Sequence, residues 1–405
     1  MRVEVINTGT ELLLGNVVNT HLAFLARELF PLRIQRQATV PDGGAIRQAL
    51  EESFARADLV LVTGGLGPTT DDITRDIVSE LLGLPLLQDP AVLAAIVSRF
   101  ARRGFSMTER VKRQAEVPRG AAVLANAHGT APGLYFPRSA RSPHLFLLPG
   151  PPRELEPMFQ NQVTPILRGL LPSGTGVESR VYKVIGLGES VVEEKVGREI
   201  LAIEGIELGY CARPGAVDVR CIGTGAMLER AHSIMNSGLR ENIVSSDGRS
   251  LEEVVVALLT ERGERLALAE SCTGGFVANQ VTNVPGSSEV FVEGFVTYAN
   301  RAKTRSLGID ERLLAAHGAV SAEVAAAMAV NARERTGVEH ALSLTGIAGP
   351  GGGTKEKPVG TVFIGLASVE RKTEVHRHRF PTDRETFKSL ASQAALDQLR
   401  RRLLA

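Results

Sequence analysis

The sequence predicts an α/β protein of three domains, and three observations carry that prediction. Short apolar runs such as Leu59–Val62 alternate with stretches of helical spacing in the first part of the chain. That is the pattern of a parallel sheet covered on both faces. A linker-like segment, Pro172-Ser-Gly-Thr-Gly176, then interrupts it. Beyond Ser250 a second alternation of strands and helices begins. The domains expected are 1–172, 173–247 and 248–405.

In order, Arg2 to Ile6 reads as a buried strand that turns at Asn7-Thr8-Gly9-Thr10-Glu11. Asn19 can cap a helix whose Leu22, Leu25, Ala26 and Leu29 form an apolar stripe. A strand follows near Leu32 to Ala38, and then a helix from about Asp42 carries Ile46, Ala49, Leu50 and Phe54. The next strand runs into Thr63-Gly-Gly-Leu-Gly-Pro-Thr-Thr-Asp-Asp72. A helix is expected from near Thr69 to Gly83, and a long helical segment, interrupted near Gly104, from Ala91 to Ala115. Leu145 to Leu148 is the last core strand, leading to Pro149-Gly150 and a helix over Leu155 to Leu170.

Parallel sheets bind ligands beyond the carboxyl ends of their strands, where the Thr63–Asp72 loop lies. Gly64, Gly65 and Gly67 would let backbone amides approach a phosphate, with the following helix pointing its positive end at it. Asp71 and Asp72 would repel that phosphate unless a divalent cation stood between them. The competing reading is that both merely complement the helix dipole.

From Val181 to about Ile243 the order is strand, helix, strand, strand, helix, which resembles an RNA-binding KH module. The GXXG loop of such modules is missing at Gly186-Leu-Gly-Glu189, and no basic aromatic patch lies nearby. A spacer and dimer contact is expected there, without nucleic acid.

Ser250-Leu-Glu-Glu253 is a capping box that opens the third domain. Strands are expected near Leu266, from Phe291 to Tyr298, Ala341 to Leu344, Gly360 to Ser368 and Thr373 to Phe380. The stretch Leu266 to Gly275, LALAESCTGG, is a strand that breaks at a Ser-Cys-Thr-Gly-Gly turn before a helix. Ser271 at such a tip is either a nucleophile facing the helix N–H groups, which would stabilise an oxyanion, or a helix cap. A serine needs a base. Lys303, one turn into the helix after Val296-Thr297-Tyr298, could reach back; desolvation would lower its pKa and let it take the proton. Taken alone, such a lysine is more often a solvated surface residue. Tyr298 could relay or orient the proton. The glycine-rich Thr345–Thr354 is expected to face Ser271 as a phosphate nest or a lid, and its spacing excludes a Walker A loop.

Composition bounds the function. With 46 Lys+Arg against 45 Asp+Glu, no global field favours nucleic acid or an anionic membrane. Three dispersed cysteines argue against a disulfide framework or structural zinc. No apolar run is long enough to span a bilayer, and the opening residues read as a strand rather than a signal peptide. A cytoplasmic protein is expected.

Five motifs in the same order, ESCTGG, PGSS (Pro285–Ser288), VTYANRAK (Val296–Lys303), GAVS (Gly318–Ser321) and TGIAGPGGGT (Thr345–Thr354), resemble the C-terminal domain of the CinA family. That domain is similar to stand-alone nicotinamide mononucleotide deamidases. The resemblance implies a Ser-Lys amidase needing no cofactor, with Ser271 as nucleophile, Lys303 as base and Tyr298 in support. It places substrate contacts at Thr273, Gly274, Gly275, Gly346, Gly349 and Gly351. TGTELLLG (Thr8–Gly15), TGGLGPTTDD (Thr63–Asp72) and LPGPPRELEPMF (Leu148–Phe159) resemble the N-terminal domain of the same family, which has a molybdopterin-binding-like fold. That likeness implies hydrolysis of ADP-ribose to AMP and ribose 5-phosphate. It implies substrate contacts at Thr8, Gly9, Glu11, Thr63, Gly64, Gly65, Gly67, Pro149 and Gly150, and a divalent metal (Mg, Mn, Co or Ni) at Asp71 and Asp72. Pro151-Pro152 and Arg153-Glu154 depart from the family pattern. The partners implied are these two nucleotides and a second copy of the chain. A non-enzymatic scaffold binding a pterin or nucleotide is the second reading.

Overall fold

The computed structural model describes residues 1–104, 106–170 and 176–405. They divide into two compact units, Met1–Thr175 and Gly176–Ala405. All of the expected linker except Gly176 lies outside the described residues.

In the first unit one sheet runs, in spatial order, Ile34–Val40, Val3–Thr8, Leu59–Thr63, His144–Leu148, Gly133–Phe136, Ala122–Leu124. The first four strands are parallel, and each of the last two pairs antiparallel with the strand before it in that order. Side chains alternate between faces. Val3, Val5, Leu59 and Leu61 pack with Phe24, Leu25 and Phe159; Ile6, Val60 and Val62 pack with Ile46, Leu50 and Val78 on the opposite face. The chain leaves Val3–Thr8 to one side and returns on the other, so the strand order reverses between Val3–Thr8 and Leu59–Thr63.

Two expectations need correction here. The helix placed near Thr69 is Thr74–Leu82, closed by a left-handed Gly83. The helical segment is broken at the left-handed Gly104 as expected and resumes over Glu109–Lys112 and Arg113–Ala115, but the short strands Glu116–Pro118, Ala122–Leu124 and Gly133–Phe136 that follow were not expected. Strands of three or four residues carry too few alternations to register as a period.

In the second unit, a four-stranded antiparallel sheet is ordered Glu207–Arg213, Ala216–Thr224, Val177–Ile185, Ile243–Ser245. Its core gathers Tyr182, Val196, Ile200, Leu228 and Met235 from the strands and their helices. The second sheet is ordered Phe291–Val296, Leu266–Glu270, His340–Gly346, Thr361–Ser368, Arg371–Arg379. Its first three strands are parallel. Helices Leu251–Arg262, Phe276–Thr282 and Arg384–Leu404 share one core, and Ala322–Thr336 with Asn300–Leu307 contributes to the other.

The connector is not a free spacer. Ile185 and Val244 join the C-terminal core, and the buried Arg400 donates to the carbonyls of Ile243 (3.2 Å) and Glu241 (3.0 Å). Arg400 thus ties the last helix to the connector.

Candidate active site

Each unit places polar residues where its strand order reverses, at the carboxyl ends of parallel strands. In the second unit that point lies between Leu266–Glu270 and His340–Gly346. Ser271 follows the first strand directly, and its N–H donates to Leu344 O at 2.9 Å. Gly274 and Gly275 take φ of +65° and +93°, which lets the chain turn sharply into helix Phe276–Thr282.

Lys303 lies in helix Asn300–Leu307 and is 1% exposed. Its Nζ donates to Ser271 Oγ at 2.9 Å and to Thr297 O at 2.8 Å, with Tyr298 O at 3.5 Å. Burial pushes its pKa down to about 8. In the neutral amine the two carbonyls can hold the two N–H bonds and leave the lone pair for the serine proton. The solvated-lysine reading fails, because this side chain is enclosed.

Three expectations about the surroundings change. The helix N–H groups do not face an oxyanion: the buried Glu270 carboxylate accepts from Gly275 N (2.9 Å), Val277 N (3.2 Å) and Ala278 N (2.8 Å). Sequence reasoning missed Glu270, although an acid between an apolar strand and a helix start is the available signal. Tyr298 is 60% exposed, and its hydroxyl accepts from Arg384 Nη2 at 2.7 Å rather than reaching Lys303. Arg384 Nη1 also donates to Gly349 O at 3.0 Å, so Arg384 links Tyr298 to the glycine-rich loop. That loop is only partly at the site. Gly346 closes its strand against Thr361, where a Cβ would lie 2.7 Å from the Thr361 oxygen, and Gly351 is exposed. Thr273 is fully buried with a hydroxyl that makes no hydrogen bond. Cys272 is buried, which pushes its thiol up to about 12.

In the first unit a cavity of about 530 Å³ opens at the other reversal. Thr8, Gly9, Glu11, Gly64, Gly65, Gly67, Asp71, Asp72, Pro149 and Gly150 all line it, as expected. Thr63 does not: it is buried beneath, its Oγ1 accepting from Asn7 Nδ2 at 2.7 Å and lying 3.2 Å from His21 Nδ1. Burial holds the His21 pKa below its usual value. Asn19 orients this network, bonding Asn7 and accepting from His21 N.

Both aspartates precede Thr74 and the Ile73 cap, so neither lies within the first helical turn. Asp72 Oδ2 accepts from the Thr69 backbone at 2.9 Å and from its hydroxyl. Asp71 is exposed. Among the described residues no three His, Cys, Asp or Glu side chains gather to hold a metal. Two carboxylates, one of them already engaged by Thr69, suit only a hard cation that completes its shell with phosphate oxygens and water. They do not fit a protein-caged ion. Glu154 accepts from Asn126 Nδ2 at 2.8 Å and so steadies the loop containing Thr130 at the rim. Gln114, which sequence reasoning did not single out, is 2% exposed and lines the cavity.

Three family models cover most of the chain: a probable molybdopterin binding domain over residues 4–169, a damage-inducible protein CinA KH domain over 179–244, and a CinA C-terminal domain over 248–403. A CinA-like protein of Akkermansia muciniphila is 46% identical over 98% of this chain and 96% of its own length. A CinA-like protein of Kosmotoga olearia is 41% identical over 100% of this chain and 99% of its own. A solved structure described as competence/damage inducible protein CihA from Agrobacterium tumefaciens is 38% identical, covering 38% of this chain and 94% of its own, at a TM-score of 0.37. With an N-terminal molybdopterin-binding-like parallel-sheet domain, a KH-like connector and a CinA C-terminal domain in one chain, this protein belongs to the CinA family.

Proposed function

We propose that the chain is a bifunctional hydrolase of pyridine nucleotides. Its second unit deamidates nicotinamide mononucleotide to nicotinic acid mononucleotide, and its first hydrolyses ADP-ribose with a divalent metal. The observation that carries the amidase reading is the 2.9 Å contact between Ser271 Oγ and an enclosed Lys303 whose pKa is lowered to about 8. At pH 7 about one such amine in ten is neutral, enough to serve as base.

Ser271 Oγ attacks the carboxamide carbon as its proton passes to Lys303 Nζ. The tetrahedral adduct collapses, Lys303 returns the proton to the leaving amine, and ammonia departs from an acyl-serine. Water, deprotonated by Lys303, then cleaves the ester to the carboxylate and frees Ser271. No step draws on a cofactor.

In the first unit Asp71 and Asp72 would hold the metal, which when bound supplies charge neutralisation at the diphosphate. The glycine backbone at Gly64, Gly65 and Gly67 approaches the phosphates. Both reactions are assayed on one preparation, as ammonia from nicotinamide mononucleotide and AMP from ADP-ribose, with and without chelator. Chelator should abolish AMP release and spare ammonia release; loss of ammonia release on chelation would refute the metal-free Ser-Lys route.

A further inference from the structure

The cavity of about 530 Å³ in the first unit has two unlike walls. The loop after Leu59–Thr63 leads into helix Thr74–Leu82, whose Ile77, Val78 and Leu82 pack on one face of the sheet. The strap after Val3–Thr8, residues 10–19, leads into helix His21–Glu28, whose Phe24 and Leu25 pack on the other face. Two adjacent parallel strands thus send their connections to opposite sides, which opens a crevice between them. On the loop side stand Gly64, Gly65, Gly67, Asp71 and Asp72. On the strap side stand Leu12, Val17 and Val18.

The strap wall is bare. Leu66, the other leucine of the lining, is buried in the core, whereas Val17 and Val18 are 53% and 82% exposed. Neighbouring apolar side chains exposed within a cavity and rimmed by polar groups mark a surface that a ligand covers. The backbone that presents them is anchored at both ends. Thr10 N and Oγ1 each bond Asp42 Oδ2 at 3.0 Å, and Asn19 Nδ2 donates to Asn7 Oδ1 at 3.0 Å. Between those anchors, Leu14 N donates to Thr10 O and Asn16 N to Glu11 O, both at 3.0 Å. Leu13 and Leu14 are also exposed on this strap, but they do not line the cavity.

We infer that Leu12, Val17 and Val18 form a base subsite, against which the adenine of the nucleotide lays its flat face. The inference rests on the ADP-ribose reading above and gives that substrate a direction. Its AMP half lies along the strap, and its diphosphate crosses to the glycines and to Asp71 and Asp72. Adenine is the one part of ADP-ribose that is a flat ring without charge or hydroxyls. It alone gains by covering aliphatic carbon, since that contact removes apolar surface of both partners from water.

AMP and ribose 5-phosphate share a sugar and a phosphate and differ in the base, so their comparison isolates the subsite. Each is titrated calorimetrically into the full-length protein with Mg²⁺ present. Wild type should bind AMP roughly 10-fold or more tightly than ribose 5-phosphate. Val17→Ser combined with Val18→Ser should remove most of that preference and leave ribose 5-phosphate binding unchanged. Val17→Ile should retain the preference, as should Leu13→Ser combined with Leu14→Ser, on the same strap outside the cavity. A wild type that binds both ligands equally overturns the inference. So does a preference that survives the double valine substitution in a protein whose circular dichroism matches wild type, or an equal loss of both ligands, which would make the strap a structural support alone. AMP release from ADP-ribose is measured on the same preparation. A wild type that releases none, yet shows a preference for AMP that depends on Val17 and Val18, refutes the hydrolase reading and upholds the subsite.

Discussion

The two units place their chemistry at equivalent points, a reversal of strand order in a partly parallel sheet, yet they furnish them in opposite ways. The Ser271 site is closed: Lys303 is enclosed, Glu270 is consumed by three backbone N–H groups, and the reactive contact is a single short bond. The N-terminal site is an open cavity lined by carboxylates and glycines, with its polar network packed beneath it. Enclosure lowers the pKa of an amine and so makes a base from protein alone. An open acidic cavity cannot do that, and under the proposed function it would recruit an ion to meet an anionic substrate. On that proposal one fold principle serves two chemistries, divided by how much water each site admits.

The largest expected effect is at Ser271. Ser271→Ala should lower deamidation by roughly 10³ or more and leave ADP-ribose hydrolysis unchanged. Cys272→Ser should keep most activity, since that thiol is buried and pushed up to about 12. An inactive Cys272→Ser beside an active Ser271→Ala would move the nucleophile by one residue.

Lys303→Arg should cost nearly as much, because a guanidinium stays protonated near neutrality. Lys303→Met removes an enclosed amine, so its melting temperature should equal or exceed that of wild type while activity is lost. Wild-type rates for Lys303→Arg would reduce the residue to a source of positive charge.

A smaller loss is expected in the open site. Asp71→Asn or Asp72→Asn should lower AMP release roughly 10- to 100-fold and raise the metal concentration needed for half-activity. Asp72→Asn should also loosen the turn it forms with Thr69. A double substitution with unchanged rate and metal response would leave the two sites differing in shape alone.

Much of this contrast was legible in the sequence. Apolar runs marked the parallel strands, and ESCTGG with VTYANRAK located the serine and lysine that the structure brings together. What was not legible depended on contacts between distant residues. The helix start moved from Thr69 to Thr74 because Asp72 folds back on Thr69 and Thr74 N bonds Gly65 O. Tyr298 was assigned to the lysine from its neighbours in sequence, whereas Arg384, in the final helix, claims its hydroxyl. Nothing local to the last helix announces that Arg400 spans to the connector. A fragment beginning near residue 248 would leave that arginine and the Ile185–Val244 contacts unsatisfied.

The neutral lysine is tested most directly by the pH dependence of kcat/KM for nicotinamide mononucleotide. The base must be unprotonated, and its pKa lies below the ordinary lysine value, so activity should climb as pH rises and level off above about pH 8. Below that point the rate should gain roughly tenfold per pH unit. A profile flat from pH 6 to 10, or one still climbing through the ordinary lysine range, would contradict the enclosed Lys303 as the base.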